Sequence, residues 1–481
     1  MTSTTEGFVA RHELYSDEQR EAAARAEATV REQGLRTVRI VWVDQHGLPR
    51  ARFASPEAFG SALRTGLDMS GAVVNLDSGN QVFAAAFQPG GGVGVSELTG
   101  FPDVVLVPDP TTFQVLPWAD RTGWVLTDAY FSNGAPHALD SRGLLRRHVQ
   151  AAAELGYGYQ AGLEVEFYLL RNETGRTAPH ETGHPAPAPP VSILEQGYQF
   201  LSENRLASLE EIVTPLRDAL LAVGVPLRTM EDEWGPGQLE FTCHPSEGLG
   251  PADAMVLFRS AVKQVAQRHG LLATFMSRPA LPNISSSGWH LHQSLTAAGG
   301  GNAFTSDTDV LSDTGRAFAA GILEHAIPMT AFASPTITGF KRYLPYSFAP
   351  DNVNWALENR GAMLRVQGVP GDPGTHLENR LGEPAANPYL YVAANLAAGL
   401  DGVRRGLTPP PLAGPDPYSS GGTPLPSTLW DAIDAVDRDA FFRTAFGDTL
   451  IDYLVSIKRS EIHRFLSEVT DWEMREYLET F

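Results

Sequence analysis

The sequence predicts an α+β protein made of a small β-rich N-terminal unit, residues 1–115, and a larger mixed unit, residues 116–481. Three observations lead there. The chain has 481 residues, enough for two or three structural units. Its 43% hydrophobic, 19% charged and 9% aromatic residues can close a sizeable core. The first 115 residues carry strand and turn signals behind a single helix, whereas strands and helices alternate beyond Leu116.

Ser16-Asp17-Glu18-Gln19 forms a capping box, in which a hydroxyl and a side-chain amide each satisfy a free N–H of the first helical turn. The Ala/Glu/Arg-rich stretch behind it is predicted helical to Gln33 and stopped by Gly34. Residues 37–43 are β-branched and aromatic, Asp44-Gln45-His46-Gly47 supplies a turn, and residues 49–53 resume, which makes a hairpin. Residues 104–107 form a strand that runs into Pro108-Asp109-Pro110-Thr111-Thr112, and residues 124–127 open the first strand of the second unit. A helix at 141–155, a strand at 162–170, a Pro/His loop at 184–190 and helices at 208–223 and 251–269 follow. Residues 408–426, rich in Pro, Gly and Ser, read as an exposed loop. From 427 to 481 the periodicity is helical, with Leu450, Ile451, Leu454, Ile457, Ile462 and Phe465 spaced for one buried face.

With 36 Lys+Arg against 56 Asp+Glu the net charge is −20, the opposite of a nucleic-acid binder's balance. The single cysteine, Cys243, excludes an intrachain disulfide framework and any Cys-based zinc or iron–sulfur site. The first residues are partly acidic and lack an apolar stretch, and nothing further on approaches about 18 uninterrupted apolar residues. Neither secretion nor membrane spanning is predicted, and the cytoplasm is the expected compartment.

The chemistry concentrates in a few segments. No GxxxxGK[ST] and no strand-borne GxGxxG occurs, and Gly90-Gly91-Gly92 reads as a flexible turn. Glu164 and Glu166 stand at i and i+2 of an apolar strand and so share a face. Alone the pair suits an exposed sheet face; buried, it needs a cation, a shared proton or water. Glu233 and Glu240 flank Trp234-Gly235-Pro236-Gly237, and His290 and His292 repeat the i, i+2 spacing. Glu378 and Arg380 alternate on one face, with Arg342, Arg360 and Arg365 upstream. Five carboxylates and a histidine suit Mg²⁺, with Mn²⁺ as substitute. Four always-charged, planar guanidiniums suit a polyphosphate and a transferring phosphoryl group. The set points to phosphoryl transfer supported by two or more metals.

These residues resemble the glutamine synthetase family, and the match runs in order along nearly the whole chain. It takes in Pro108-Asp109-Pro110-Thr111-Thr112, Glu164-Val165-Glu166-Phe167, Gly235-Pro236-Gly237-Gln238-Leu239-Glu240, Ala273-Thr274-Phe275-Met276 and Gly288-Trp289-His290-Leu291-His292-Gln293-Ser294-Leu295. Lys341-Arg342, Glu358-Asn359-Arg360, Pro384-Ala385-Ala386-Asn387-Pro388-Tyr389-Leu390, Ala397-Ala398-Gly399-Leu400-Asp401-Gly402 and Val469-Thr470-Asp471-Trp472-Glu473 continue it. The resemblance is to the bacterial type I architecture. It implies a β-grasp N-terminal domain, a catalytic domain whose antiparallel sheet forms half of a funnel, and a homo-dodecamer of stacked rings with active sites between neighbouring subunits. By position, Glu166, Glu233 and Glu240 would hold one metal and Glu164, His290 and Glu378 another, two or three Mg²⁺ or Mn²⁺ per site. His292, Ser294, Arg360 and Arg365 match positions near ATP, the co-substrate. Arg360, Arg365 and Arg380 would act on the transferring group, while Glu166, Ser285, Ser286, Arg342, Arg380, Phe348 and Ser70 would face the substrates. The implied reaction is attack of a glutamate γ-carboxylate on the ATP γ-phosphate, followed by aminolysis of the acyl phosphate.

The departures from the family redirect the nucleophile. In ammonia-using members a glutamate that binds ammonium precedes a proline by two residues; here Phe348 precedes Pro350. The second ammonium carboxylate falls at Ser70, with Asp68 two residues away. Without both anions a small cation is neither held nor deprotonated there. Phe348 with Tyr346 would instead give an amine pocket that packs a carbon skeleton, so the expected partners are glutamate and a small organic amine. Ser285 and Ser286 replace an Asn-Gly near glutamate, which leaves a different acid as an alternative, and Pro373 stands where a lysine is common. Tyr418 lies in a Pro-rich run without the context of an adenylylated tyrosine. The rival readings are a true glutamine synthetase, a non-catalytic member of the family, and a hydrolase built on His290 and His292, which would need further histidines and a lysine in order along a barrel.

Overall fold

The computed structural model describes residues 6–183 and 186–481. The predicted Pro/His loop begins at His184 and Pro185, outside the described residues. Ser16 Oγ accepts from Gln19 N at 3.2 Å and Gln19 Oε1 from Ser16 N at 3.1 Å, so the capping box starts the helix Asp17–Glu32 as expected. Gly34, at φ +58°, takes the left-handed position that follows it.

Among the described residues the N-terminal sheet has six strands: β1 (Thr37–Val43), β2 (Pro49–Ala54), β3 (Leu67–Ser70), β4 (Asp103–Pro108), β5 (Gln114–Val115) and β6 (Thr122–Tyr130). Asp44 accepts the amides of His46 and Leu48 at 2.9 Å each, which closes the predicted β1–β2 turn. The order is β2-β1-β6-β4-β3, with β5 also on β6 and with β1 and β6 parallel. The strand expected to open the second unit is therefore β6, central to the first sheet, whose pairing runs past Leu116 as far as Tyr130. Nearly every residue of β6 is buried, and a strand covered on both faces carries no alternation that tells which sheet it joins.

The second sheet is formed by β7 (Tyr157–Asn172), β8 (Val191–Ile193), β9 (Leu227–Asp232), β10 (Gln238–Cys243), β11 (Ser246–Glu247), β12 (Leu271–Thr274), β13 (Trp289–Ala297), β15 (Trp355–Leu357), β16 (Leu364–Gln367) and β17 (His376–Asn379). The remaining strands, β14 (Asn352–Val353) and β18 (Thr423–Pro424), pair with each other. Its main path is β15-β16-β17-β13-β7-β10-β9. The period of two sorts the side chains. Phe167 on β7 and Phe241 on β10 turn to one face, where their rings lie 5.8 and 6.0 Å from Phe258 of the helix Gly250–Arg268. Glu164, Glu166 and Glu240 occupy the other face.

The predicted helices at 141–155, 208–223 and 251–269 are Ser141–Glu154, Glu210–Ala222 and Gly250–Arg268, and a short helix, Glu203–Ser208, precedes the second. Helices Leu429–Arg438, Ala440–Phe446, Asp448–Leu466 and Asp471–Tyr477 close the chain. Leu450, Ile451, Leu454, Ile457 and Ile462 are buried as predicted, but Phe465 is 39% exposed, its ring 5.8 Å from Lys341 Nζ. The proline-rich stretch is anchored rather than free. Trp355 Nε1 donates to Pro410 O at 2.7 Å and Asn354 Nδ2 to Pro417 O at 3.0 Å.

Two devices join the units. Arg142 reaches Asp109, Asp128 and Asp253 at 2.9, 2.9 and 2.8 Å. Asn387 Nδ2, at the start of the helix Pro388–Arg405, donates to Asp44 O and Gln45 O at 3.1 and 3.3 Å. Among the described residues no helix is long and apolar enough to cross a membrane.

Candidate active site

Strand register assembles the predicted residues. Glu240 lies opposite Glu166, His290 opposite Glu164, His292 opposite Glu378, and Glu378 opposite Arg365. Residues directly opposite share a face, so side chains separated by as many as 214 positions form one band across the sheet. Glu233 and Ser294 extend the band on β9's end and along β13.

His290 Nδ1 lies 2.5 Å from Glu164 Oε1, and His292 Nε2 lies 3.0 Å from Glu164 Oε2. Glu378, fully buried, accepts from Arg365 Nη1 and Gln367 Nε2 at 3.0 Å each and from Arg380. On this face ligand atoms gather within 4.8 Å in two groups, Glu164 with Glu240 and His290, and Glu164 with His292 and Glu378; a third such group, Glu324 with His325 and Asp401, lies away from it. This partition differs from the one the resemblance implies. Glu164 belongs to both groups, and His292, expected near ATP, stands beside Glu378. Glu166 Oε2 is instead taken by Gly288 N at 3.0 Å and Gln238 Nε2 at 3.2 Å, and Glu233 Oε2 by Trp234 N at 2.6 Å.

The electrostatics are divided in the same way. Burial, then the charge of Glu233, pushes Glu166 up to about 8. Burial with Glu164 and Glu166 pushes Glu240 up to about 11, and burial also raises Glu233. Burial works against ionisation of Glu164 too, but His290 followed by His292 outweighs it and holds this carboxyl well below its ordinary range. Burial, then Arg380, pushes His290 down to about 4, leaving a neutral imidazole able to ligate. Crowded carboxylates that must keep protons unless a cation joins them, beside one neutral imidazole, are a donor set that fits Mg²⁺ or Mn²⁺.

The arginines are placed less uniformly than their sequence pattern suggests. Arg342 is buried and pinned by Leu381 O at 3.0 Å and Arg380 O at 2.5 Å. Arg365 spans Glu378 and Glu358, the latter at 2.6 Å, and Arg380 Nη2 donates to Phe348 O at 3.1 Å. The Nε groups of Arg365 and Arg380 are buried without a hydrogen-bond partner, donors suited to an anion. Arg360 stays exposed on the turn between β15 and β16.

Ser285 and Ser286 are half-buried at the rim, where Tyr168 Oη accepts from Ser285 N at 2.9 Å and donates to Ser285 O at 2.8 Å. Phe348 and Tyr346 are each 71% exposed, and Tyr346 packs on Tyr418 with ring centres 4.9 Å apart. Ser70 is exposed at the end of β3, the edge of the other sheet. Sequence reasoning assigned no role to Gln238, which also donates to Ser287 Oγ at 3.0 Å, or to Tyr168, Gln367 and His376, whose Nε2 lies 3.0 Å from His292 Nδ1. Gln238 was inside a quoted motif; the other three stand two residues from Glu166, Arg365 and Glu378 on the same strands, the spacing that turns them to the site's face. Gly288 is bare for a reason: a Cβ there would lie 2.8 Å from His290 Nε2 and 3.0 Å from Arg342 Nη2.

Comparison with known proteins agrees with this geometry. The family described as glutamine synthetase, catalytic domain, matches residues 138–477. Gamma-glutamylanilide synthase of Acinetobacter sp is 40% identical over 98% of each chain. Glutamate–isopropylamine ligase of Pseudomonas sp is 29% identical over 96% of this chain and 99% of its own. The solved structure of apo GmaS without ligand superposes with a TM-score of 0.79 at 28% identity, covering 94% of this chain and 99% of that one.

Proposed function

The chain belongs to the glutamine synthetase family, and we propose that it joins the γ-carboxylate of glutamate to a primary organic amine through γ-glutamyl phosphate at the expense of ATP. It is an ATP-dependent carbon–nitrogen ligase, in line with the relatives it matches. The observation that carries the choice of nucleophile is Phe348. The position that holds a carboxylate in ammonia-using members presents an exposed aromatic ring on a loop whose carbonyl is fixed by Arg380. An aromatic amine is neutral at pH 7 and needs no anion to hold or deprotonate it, so an apolar lip serves it better than a carboxylate pair would. The 40% identity to a gamma-glutamylanilide synthase supports the same class.

In the first step an oxygen of the γ-carboxylate attacks the γ-phosphorus of ATP and ADP leaves. In the second the amine nitrogen attacks the acyl carbon, phosphate leaves and the nitrogen loses a proton. Arg342 and Arg380, which donate to backbone carbonyls, bind the acid. Arg365, with Arg360 at the rim, faces the charge of the transferring group. Two or three Mg²⁺ or Mn²⁺ ions, held by Glu164, Glu166, Glu233, Glu240, His290, His292 and Glu378, would supply charge neutralisation at the phosphate oxygens. Ser70 lies on the edge of the N-terminal sheet, so its part in the site requires a neighbouring subunit, and a homo-dodecamer with inter-subunit sites in the cytoplasm completes the proposal.

The test is phosphate release from ATP with glutamate and Mg²⁺ or Mn²⁺, across ammonia, aniline, isopropylamine, ethanolamine and putrescine, with product masses recorded. Turnover with aniline or another organic amine well above ammonia is expected. Equal turnover with ammonia would identify a glutamine synthetase, and silence across the panel would identify a member without this activity.

A further inference from the structure

Phe348, on which the choice of nucleophile turns, stands on an exposed lip, residues 344–348, that runs from the buried Arg342 and Tyr343 to the buried Ala349 and Pro350. Two bulky residues of the lip sit on left-handed backbone, Tyr346 at φ +58° and Phe348 at φ +60°. Residues other than glycine adopt this conformation at a cost, and they keep it where surrounding contacts over-determine it. Within the lip, Ser347 Oγ donates to Leu344 O at 2.5 Å. Two further ties come from outside: Arg380 reaches Phe348 O from the end of β17, and Tyr418 reaches Ala349 O from the proline-rich stretch.

Three segments meet at the Tyr418 ring. Its hydroxyl donates to Ala349 O at 3.1 Å, its face packs on Tyr346 with ring centres 4.9 Å apart, and its edge lies over Gly361, where a Cβ would come within 3.0 Å of Cε2. Burial raises this hydroxyl, so it keeps the proton that it donates. The backbone beneath the ring is itself fixed. Asn359 Nδ2 donates to Pro415 O at 3.1 Å and Asn354 Nδ2 to Pro417 O at 3.0 Å. Asp416 accepts the Tyr418 amide on Oδ1 at 3.1 Å and the Tyr346 hydroxyl on Oδ2 at 3.0 Å. Successive carbonyls at the end of the lip are therefore held by side chains of two different segments, and the exposed ring of Phe348 extends from the first of the two residues.

We propose that Tyr418 is a positioning residue for amine selection: from the proline-rich stretch it holds the lip in one conformation and so keeps the Phe348 ring where the apolar body of the amine packs. The proposal rests on the ligase reading above and extends it to a residue that acts through the lip. Without the hydroxyl, the left-handed backbone loses one of the contacts that sustain it, and the Phe348 ring is free to leave its place. An amine with a carbon body then loses a packing surface, whereas ammonia, which has none, loses nothing. The acid is held independently, because Arg342 keeps Leu381 O and Arg380 O and Arg380 keeps Phe348 O.

The test has two arms, both on the full chain. In the first, 4-fluorophenylalanine is introduced at position 348 alone and its ¹⁹F resonance is followed without ATP, glutamate or amine. A single line is expected, and Tyr418→Phe, which removes only the hydroxyl, should shift it or split it into two populations. In the second, kcat/KM is compared for aniline and ammonia. Tyr418→Phe should lower the aniline-to-ammonia ratio about fivefold, the size of one net hydrogen bond, through KM for aniline, with KM for glutamate and ATP within about twofold. In the Phe348→Glu background, where the ring is gone, the same change should move the ratio by less than about twofold. An unchanged ¹⁹F spectrum, a rise in KM shared equally by glutamate, ATP and aniline, or a fivefold effect in both backgrounds would overturn the proposal. Absence of turnover with any amine in the unaltered protein would refute the ligase reading and amine selection with it; the ¹⁹F arm separates that failure from a lip that Tyr418 does not hold.

Discussion

Replacing Glu378 by glutamine keeps the size of a side chain that has no exposure to solvent and removes its charge. Arg365 and Gln367 donate to Oε2 and Arg380 to Oε1; the variant can accept through one oxygen and turns an NH₂ toward a guanidinium. Removing one partner of a buried ion pair costs about 3–5 kcal/mol. The proton affinity of Glu378 leads to the same size. Although burial opposes it, Arg380 followed by His290 holds this carboxyl at about 2 against an ordinary 4.5, which favours the ionised form by about 3 kcal/mol. Urea unfolding of the metal-free protein at pH 7 should therefore show a loss of about 3 kcal/mol. Phosphate release should fall by about 10²–10³-fold, because the lost anion both orients the two guanidiniums and faces His292. A variant within about tenfold of the wild-type rate, or one destabilised by less than about 1 kcal/mol, would refute the assignment of Glu378 as the anchor of the site.

Two further substitutions probe the frame and the pocket. Arg142→Met removes the guanidinium that the carboxylates of Asp109, Asp128 and Asp253 share, leaving Arg146 on Asp128 at 2.8 Å and the Tyr389 hydroxyl on Asp253 at 2.7 Å, and should cost about 3–5 kcal/mol in urea unfolding at pH 7. Although burial raises Asp109, Arg142 followed by Thr111 holds it at about 2, below its ordinary 3.8. A depressed carboxyl stabilises the fold above its unfolded value and loses that contribution as pH falls from 3.8 toward about 2. The gap between wild type and variant should shrink across that window, and a constant gap would count against the ion-pair account. Phe348→Glu adds a carboxylate where the backbone already sits at φ +60°, so no new strain enters. It should raise turnover of ammonia relative to aniline by about tenfold, or ~1.4 kcal/mol of differential transition-state binding; an unchanged ratio sinks the pocket argument.

The sequence made the site legible where strand periodicity alone decides it. The i, i+2 pairs Glu164/Glu166 and His290/His292 had to share faces, and the register then brought those faces together. Pairing between distant strands is not written locally, and the misreadings follow from that. Strand β6 carries no sign that β1 and β4 will flank it. Which oxygen of Glu164 meets which imidazole is set by the β7–β13 register and is not written locally. Phe465 has the right spacing for the apolar face but sits in the last turn of its helix, beyond the residues that cover Ile462. Gln238 entered only as part of a motif, since its role depends on Glu166 and Ser287 arriving beside it.

The order of strands also gives the site a direction. From β16 and β17 come Arg365, Glu378 between the guanidiniums and, just past the strand end, Arg380; β13 contributes two histidines; β7, β10 and the end of β9 contribute carboxylates. The guanidiniums, with Glu378 between them, therefore lie at one side of the sheet face and the crowded carboxylates at the other. On the carboxylate side burial, then neighbouring carboxylates, push Glu166 and Glu240 toward their protonated forms. On the arginine side two Nε donors are buried without acceptors. Cations relieve the first imbalance and an anion the second, and a phosphoryl group lying between them touches both. A face so divided disfavours a lone metal hydrolase centre, which has no use for the arginine half, and it suits a reaction in which phosphate charge is formed, held and released at the boundary.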